Sequence, residues 1–364
     1  MNISAAKYAF RAIWSEIFNF HFNYPLDAVP EAGPRESLHY YIYSERLAWD
    51  VMQLDPVGVP RARTRLMGEF YRPALIAWWG LVNLGHYLRH QDTESLSRFT
   101  TQIDWLQREA VRRPDGATVW PNQFDCLQGK TLLVAPWVSA VDQGFIISAL
   151  VRAYRLTRKP ELLSLLENTG RIFELGVDEG GVRVPVDQGA LYTELPGGSV
   201  PGIFDGFMTA LLGIYDLAVE TGSQNAAALF EDGMRGLRLY LPYWNYRDEW
   251  SWYGSRAYLC PPSYHNLNRL LLGELGRLTA NAEMMSLAEK WNPRNLGLTS
   301  RAHIYLRFVA SKNAARVRHQ TWKHSKKSVY QSAERQRAQG SAVERQRTVV
   351  ADHAARERAE ELVH

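Results

Sequence analysis

Residues Leu191–Leu217 read LYTELPGGSVPGIFDGFMTALLGIYDL, a loop that hands over to an apolar helix. Pro196, Gly197, Gly198 and Pro201 forbid a helix in the first half. In the second half Phe204, Phe207, Leu211, Ile214 and Tyr215 recur at three- and four-residue steps, the helical period. The loop thus delivers Tyr192 and Glu194 to the mouth of a helix that is apolar on nearly every side, and such a helix must be buried on every side.

The same unit recurs on both sides of this stretch. ALIAWWGLVNLGHYL, after Pro73, is followed by the more polar SLSRFTTQIDWLQREAV. WVSAVDQGFIISALVRAY precedes ELLSLLENTGRIFEL, FDGFMTALLGIYDLAVETG precedes NAAALFEDGMRGLRLYL, and YHNLNRLLLGELGRLT precedes NAEMMSLAEKW. Each pair joins an apolar helix to an amphipathic one, at a period of roughly 60–70 residues. Three of the apolar members end near a threonine: Thr157, Thr221 and Thr279. An inner ring of apolar helices inside an outer ring of amphipathic ones satisfies both kinds. The expected fold is therefore all-α, an α/α toroid of about four hairpins. A stacked α-solenoid is the rival packing, but this period is longer than a solenoid repeat and the long loops fall between pairs. Those loops, 112–136, 176–203 and 244–263, carry short strand-like pieces and are where a site is expected.

Three regions follow. Residues 1–64 form an N-terminal extension with a helix candidate at Tyr8–Phe20, a loop-like stretch after it, and DPVGVPRAR from Asp55 as a turn-rich connector. Residues 65–310 carry the helical pairs. Residues 311–364 form a basic tail, low in large apolar residues, that reads as a charged helix or disorder.

With 364 residues, 46% hydrophobic, and 12 Trp, 18 Tyr and 13 Phe, the chain can bury a large core, and its aromatic excess also suits the faces of sugars. The net charge of +4 is unevenly placed. From Ser311 onward there are 12 Lys/Arg and 6 Asp/Glu, which leaves 30 against 32 before it. The basic character belongs to the tail, so the body is not expected to bind nucleic acid. There is no run of eighteen apolar residues and no leader-like N-terminus, which points to a protein without a transmembrane segment, located in the cytoplasm. Cys126 and Cys260 read as two separate thiols of a reducing compartment. His86 and His90 stand four apart, but at a helix C-terminus, where the dipole favours histidine, and without the glutamate of a zinc protease motif; no metal is expected. GVDEGGVRV from Gly176 is a turn, no dinucleotide fingerprint exists, and no cofactor is expected. A homodimer is left open.

Three clusters converge on the loop end of the ring: Asp142-Gln143-Gly144, then Tyr192 with Glu194, then Tyr253, Arg256, Tyr264 and His265. Each member has an ordinary structural use as a cap, a loop tie or a packing group. A carboxylate, tyrosines, an arginine and a histidine at one rim form a more specific signal.

WVSAVDQGFIISALVRAYRLT resembles the W-x-S-A-x-x-Q-G-x-x-I-S-x-L-V-R-A-Y stretch of the D-glucuronyl C5-epimerases, enzymes of heparosan-type and heparan-sulfate-like polysaccharide biosynthesis. LYTELPGGSVPGIFDGFMTALLGIYDL is similar to their Y-E-E-Y-P segment and the N-G-F helix after it. YGSRAYLCPPSYHNLNRLLL resembles the Y-D-x-R segment and the Y-H before the last inner helix, and YRPALIAWWGLVNLGHY their first helix. The resemblance spans roughly residues 65–295 and implies an α/α barrel. It also implies an isomerase that needs no cofactor and takes D-glucuronate to L-iduronate in a poly- or oligosaccharide. By that match Glu194 and Tyr264 are catalytic, Tyr253 is a further active-site tyrosine and Arg256 binds substrate; His265, Tyr192, Gln143 and Asp205, at the same rim, are expected to bind substrate beside them. Departures from the pattern are Leu195 for a tyrosine, Asp205 for an asparagine, and Phe145 for the second glutamine of Q-G-Q.

The chemistry accounts for these residue types. Inverting C5 removes a weakly acidic proton next to a carboxylate and returns one to the opposite face, so two proton carriers are needed. Glu194 and Tyr264 are the expected pair. The intermediate gathers charge that donors must take up, and Arg256, His265 and Tyr253 are expected to do so. Trp250 and Trp252 either stack on sugar or anchor the loop. A polysaccharide lyase on the same scaffold is the nearest alternative, since it takes the same proton and then eliminates at C4. A glycosidase would pair Glu194 with Asp142 or Asp205. A catalytically silent glycan-binding protein is the alternative from another class.

Overall fold

The computed structural model describes residues 20–44, 53–64, 68–128, 131–198, 200–254, 256 and 258–315. The helix expected over Tyr8–Phe20 lies, but for Phe20, outside the described residues, as does the tail from residue 316. By internal contacts the chain divides after Lys312, and everything below concerns the first unit.

The protein is predominantly helical, with small antiparallel sheets in its loops. The four expected pairs form: α1 (Pro73–His90) with α2 (Thr93–Arg108), α3 (Ala140–Thr157) with α4 (Pro160–Leu166), α5 (Phe204–Thr221) with α6 (Gln224–Trp244), and α7 (Pro262–Leu278) with α8 (Ala282–Lys290). Local chemistry sets their ends. Proline occupies the first turn of α1, α4 and α7, where a missing N–H costs nothing. Asp92, Ser223 and Asn281 cap the N-termini of α2, α6 and α8 through their side chains. Gly222 ends α5 in the left-handed conformation. The threonines noted in the sequence donate back one turn, Thr157 to the Ala153 carbonyl at 2.8 Å, and Thr221 to Leu217 and Thr279 to Leu275 at 2.7 Å.

The apolar members lie side by side. α3 packs between α1 and α5, α5 packs between α3 and α7, and each carries its amphipathic partner. The closest approach is between α3 and α5. A Cβ on Gly144 would meet the Thr209 carbonyl oxygen at 2.6 Å and Ala210 Cα at 2.7 Å, so this contact requires glycine. No comparable packing joins α7 to α1 among the described residues. There the strand Asp27–Ala28, paired with Ile42–Tyr43, packs on α7, while Pro60–Thr64 packs on α1.

Residues 32–43 then cross the C-terminal ends of all four inner helices. Arg277 of α7 donates to the Ala32 carbonyl at 2.8 Å. Arg155 of α3 donates to the carbonyls of Pro34 and Ser37 while pairing with Glu220 of α5 at 2.6 Å. Arg152 of α3 donates to the His39 carbonyl and pairs with Asp216 of α5 at 2.6 Å, and the Tyr41 hydroxyl donates to Asp216 at 2.8 Å. Arg89 of α1 lies 3.8 Å over the Tyr43 ring. These ion pairs are buried, so losing one partner leaves a charge without compensation.

Two expectations change. The connector from Asp55 contains a strand, Pro60–Thr64, the centre of a three-stranded sheet with Gln53–Leu54 and Gly68–Phe70. The outer stretch ELLSLLENTGRIFEL is not one helix: α4 stops at Leu166 and a 3-10 turn, Gly170–Phe173, follows. Thr169 turns its hydroxyl onto the Leu166 carbonyl at 2.7 Å, which competes with helix continuation.

Candidate active site

The first turns of the four inner helices meet at one cavity of about 500 Å³. Arg72, at the N-cap of α1, Asp205 at the second position of α5, and Tyr264 at the third position of α7 line it. Asp142, third in α3, lies directly behind Arg72. Aromatic and aliphatic walls come from Tyr40, Trp78, Phe145 and Leu271. The N-terminal segment contributes Tyr24, Leu26 and Ile42, so the extension before residue 65 is part of the site.

Glu194 enters from the loop ahead of α5. The hairpin of Arg183–Val186 and Gly189–Tyr192 carries the chain to Thr193, whose carbonyl accepts from Ala140 at the start of α3 at 3.1 Å. A turn closed by Gly198 N–H on the Leu195 carbonyl, at 2.9 Å, then reverses the chain. Glu194 is left pointing inward, with Oε1 accepting from Arg72 Nη2 at 3.1 Å. Its other oxygen lies against Gly206, where a Cβ would come within 2.4 Å of Oε2. Gly206 is the room that the carboxylate occupies.

Electrostatically the site holds carboxylates against their preference for water. Burial raises Glu194, and Arg72 opposes that rise. Burial and then the charge of Glu194 push Asp205 up to about 7. Burial raises Asp142 to about 6, against the pull of Arg72 and of Asn122, which donates to it. Burial works against the charge of Arg72, but Asp142 and Glu194 outweigh it and its pKa is raised. Arg72 Nε stands 3.8 Å from Asp142 Oδ1, outside hydrogen-bond range, and both atoms, like Asp205 Oδ1, are buried without a partner. Burial, then Asp205 and Glu194, push the Tyr264 phenol up to about 12, so it keeps its proton at neutral pH. Burial raises Tyr253 further, and its ring meets that of Tyr264 edge-on at 5.6 Å.

Four of the eight residues expected from sequence therefore line one cavity: Glu194, Asp205, Tyr253 and Tyr264. The other four do not. Tyr192 is buried against Phe173 and Phe207, with its hydroxyl donating to the Leu229 carbonyl at 2.7 Å. Gln143 is spent on the backbone of Trp120, accepting at 3.4 Å and donating at 3.2 Å. His265 is buried, stacked on Trp250 at 3.5 Å, and accepts at Nδ1 from Ser251 while Nε2 donates to the Trp291 carbonyl. Burial holds its pKa down to about 3, so it is neutral and cannot supply positive charge. Arg256 faces outward, donating to the carbonyls of Tyr243 and Pro242 over the Tyr243 ring. Trp250, fully buried, is a packing anchor rather than a sugar platform.

Sequence reasoning missed Arg72. Its signal was available, because the arginine stands immediately before Pro73, at the mouth of the first inner helix and so at the same rim as the other clusters. Among the described residues no group of three or more His, Cys, Asp or Glu is arranged to hold a metal ion, and no helix is long and apolar enough to cross a membrane.

This arrangement sets one cation beside a buried carboxylate and a neutral phenol. Comparison with known proteins fits that chemistry. Residues 115–293 match the family model described as D-glucuronyl C5-epimerase C-terminus. The chain is 26% identical over 213 residues to a D-glucuronyl C5-epimerase of Caenorhabditis elegans, covering 53% of this chain and 34% of that protein. It is 26% identical over 159 residues to an uncharacterized protein of Methanocaldococcus jannaschii, covering 43% of this chain and 51% of that one. It thus spans about half the length of one relative and a third of the other.

Proposed function

For a chain whose residues 115–293 belong to the D-glucuronyl C5-epimerase C-terminal family, we propose an isomerase that inverts C5 of uronic acid residues in a glycan, D-glucuronate to L-iduronate in type. We read the helical body as an α/α toroid whose gap between α7 and α1 is filled by residues 24–42 and 60–64. The catalytic unit then extends beyond residues 65–310 to include the segment from Tyr24. The observation that carries the reading is the convergence of Glu194, Arg72 and Tyr264 on one cavity at the helix N-termini.

Arg72 holds the substrate carboxylate. Binding there draws the guanidinium from Glu194, which becomes the stronger base. Glu194 takes the C5 proton from one face. The extra charge passes into the substrate carboxylate, where Arg72 and the partial positive charge of the helix N-termini stabilise it. Tyr264, protonated at rest, gives its proton to the opposite face; the site resets as Glu194 releases the proton it took and Tyr264 recovers one, by exchange with solvent at the mouth, where Tyr264 is 42% exposed. Tyr253 hydrogen-bonds the sugar or Tyr264. The role first expected of Arg256 and His265 thus falls to Arg72.

The test is incubation with uronate polymers in heavy water. Deuterium at C5 with iduronate signals, and no product absorbing in the ultraviolet, supports the epimerase. An unsaturated product would assign the site to a lyase, and binding without exchange would mark a glycan-binding protein.

A further inference from the structure

Arg72 stands between two carboxylates and is hydrogen-bonded to one of them. Its Nη2 donates to Glu194 at 3.1 Å, while its Nε stops 3.8 Å from Asp142 Oδ1. That gap is about 1 Å too long for a hydrogen bond, and both atoms are buried without a partner among the described residues. A charged donor and a charged acceptor left unpaired side by side are costly, so a small turn of the guanidinium that joins them is favoured. Nε–H and Nη2–H lie along one edge of the planar group, which can therefore tip from one carboxylate to the other without leaving the site.

Arg72, not Asp142, is the partner free to turn. Asp142 is fully buried in the first turn of α3, whereas the Arg72 side chain is 37% exposed and lines the cavity. The other oxygen of Asp142 accepts from Asn122, which is fixed by paired backbone bonds with Trp137 at 2.7 and 3.2 Å. The N–H of Ala74, in the first turn of α1, also favours the charge of Asp142, at a helix start that has no side-chain cap of its own.

Resting on the reading that Arg72 holds the substrate carboxylate, we propose that Asp142 is a positioning residue for Arg72. As Nη2 leaves Glu194 for the substrate, Asp142 Oδ1 takes the Nε–H and fixes the direction in which the guanidinium points. Arg72 thereby trades one buried carboxylate for another, and Glu194 is released as a base at little cost. Asp142 itself touches no substrate, for it lies behind Arg72 and outside the cavity lining.

Two matched oligosaccharides test this: one that contains glucuronate, and the same chain with its carboxyl groups reduced to hydroxymethyl groups. Affinity for both is measured by calorimetry near neutral pH, and C5 exchange of the intact chain is followed in heavy water, for the wild type and Asp142→Asn. The variant keeps an acceptor for Asn122 and loses the one that faces Nε. It should bind the intact chain about tenfold or more weakly while its affinity for the reduced chain hardly changes. A merely structural loss would weaken both. In the wild type, nitrogen-15 spectra follow the Arg72 Nε–H, assigned by its loss in Arg72→Lys. Its signal should move downfield and exchange more slowly with water as the intact chain is added, a result that does not depend on whether Asp142→Asn folds. Equal weakening of both chains, no weakening, or an Nε–H signal that the intact chain leaves in place overturns the proposal. Exchange at C5 with any of those results rejects the role of Asp142 alone. Carboxylate-selective weakening without C5 exchange upholds that role and rejects the epimerase reading. A wild type that does not prefer the intact chain rejects both.

Discussion

At the scale of single residues, the site depends on carboxylates kept in a place that favours their neutral forms. Asp205 shows the consequence for stability. Its folded pKa, about 7, lies above its unfolded value, so the folded state holds the proton more tightly. Stability from this group is therefore full at low pH and is lost as pH rises to 7. Asp205→Asn should be more stable than the wild type at pH 8, by on the order of 1–3 kcal/mol, and the advantage should disappear near pH 4. Thermal melts across that range check the sign. Exchange in the wild type should decline as pH falls, because burial raises Glu194 and protonating it removes the base. The limb should move to lower pH in Asp205→Asn, where Glu194 loses a like-charged neighbour. Gly206→Ala should displace the Glu194 carboxylate and cut kcat about a hundredfold or more while the fold survives, read by kinetics beside circular dichroism. Glu194 and Tyr264 were legible in the sequence because they sit on loops and helix mouths with recognisable neighbours. His265 and Tyr192 misled because the sequence does not say which way a side chain beside a helix start will turn. Both turned into the core, where burial of an aromatic ring decides.

At the scale of elements, glycine sets the approach of the inner helices. Gly144→Ala places a methyl group against backbone of α5 rather than a movable side chain, so α3 and α5 must separate. A loss of about 1–3 kcal/mol is expected in denaturant melts. The helix periods, proline starts and threonine ends of the four pairs could all be read from the chain, since each depends on neighbours within a few positions. The strand Pro60–Thr64 could not, because its sheet partners, Gln53–Leu54 and Gly68–Phe70, complete a pairing that the turn-rich composition hides. The break after Leu166 was likewise invisible in apolar spacing, which continues through it.

At the scale of the whole molecule, residues 32–43 tie together the C-terminal ends of the inner helices, and Tyr40 and Ile42 of the same segment, with Tyr24 and Leu26 before it, line the cavity. Fold and site therefore share this segment. Tyr41→Phe removes a hydrogen bond to the buried Asp216 carboxylate and should cost about 1.5–3 kcal/mol. Its effect should extend to faster amide exchange in residues 32–43 and a raised KM, although Tyr41 does not line the cavity. None of this crossing was legible, for its contacts join residues more than a hundred positions apart through backbone carbonyls.

The central claim is that two proton carriers work from opposite faces of one sugar ring. It is tested most directly by following C5 deuterium and configuration together in heavy water, starting from an all-glucuronate polymer, for the wild type, Glu194→Gln and Tyr264→Phe. The mechanism predicts exchange with inversion in the wild type, and neither in Glu194→Gln. In Tyr264→Phe it predicts exchange without inversion, since Glu194 can still remove and return a proton on its own face. Inversion that persists in Tyr264→Phe, or exchange that persists in Glu194→Gln, would contradict it.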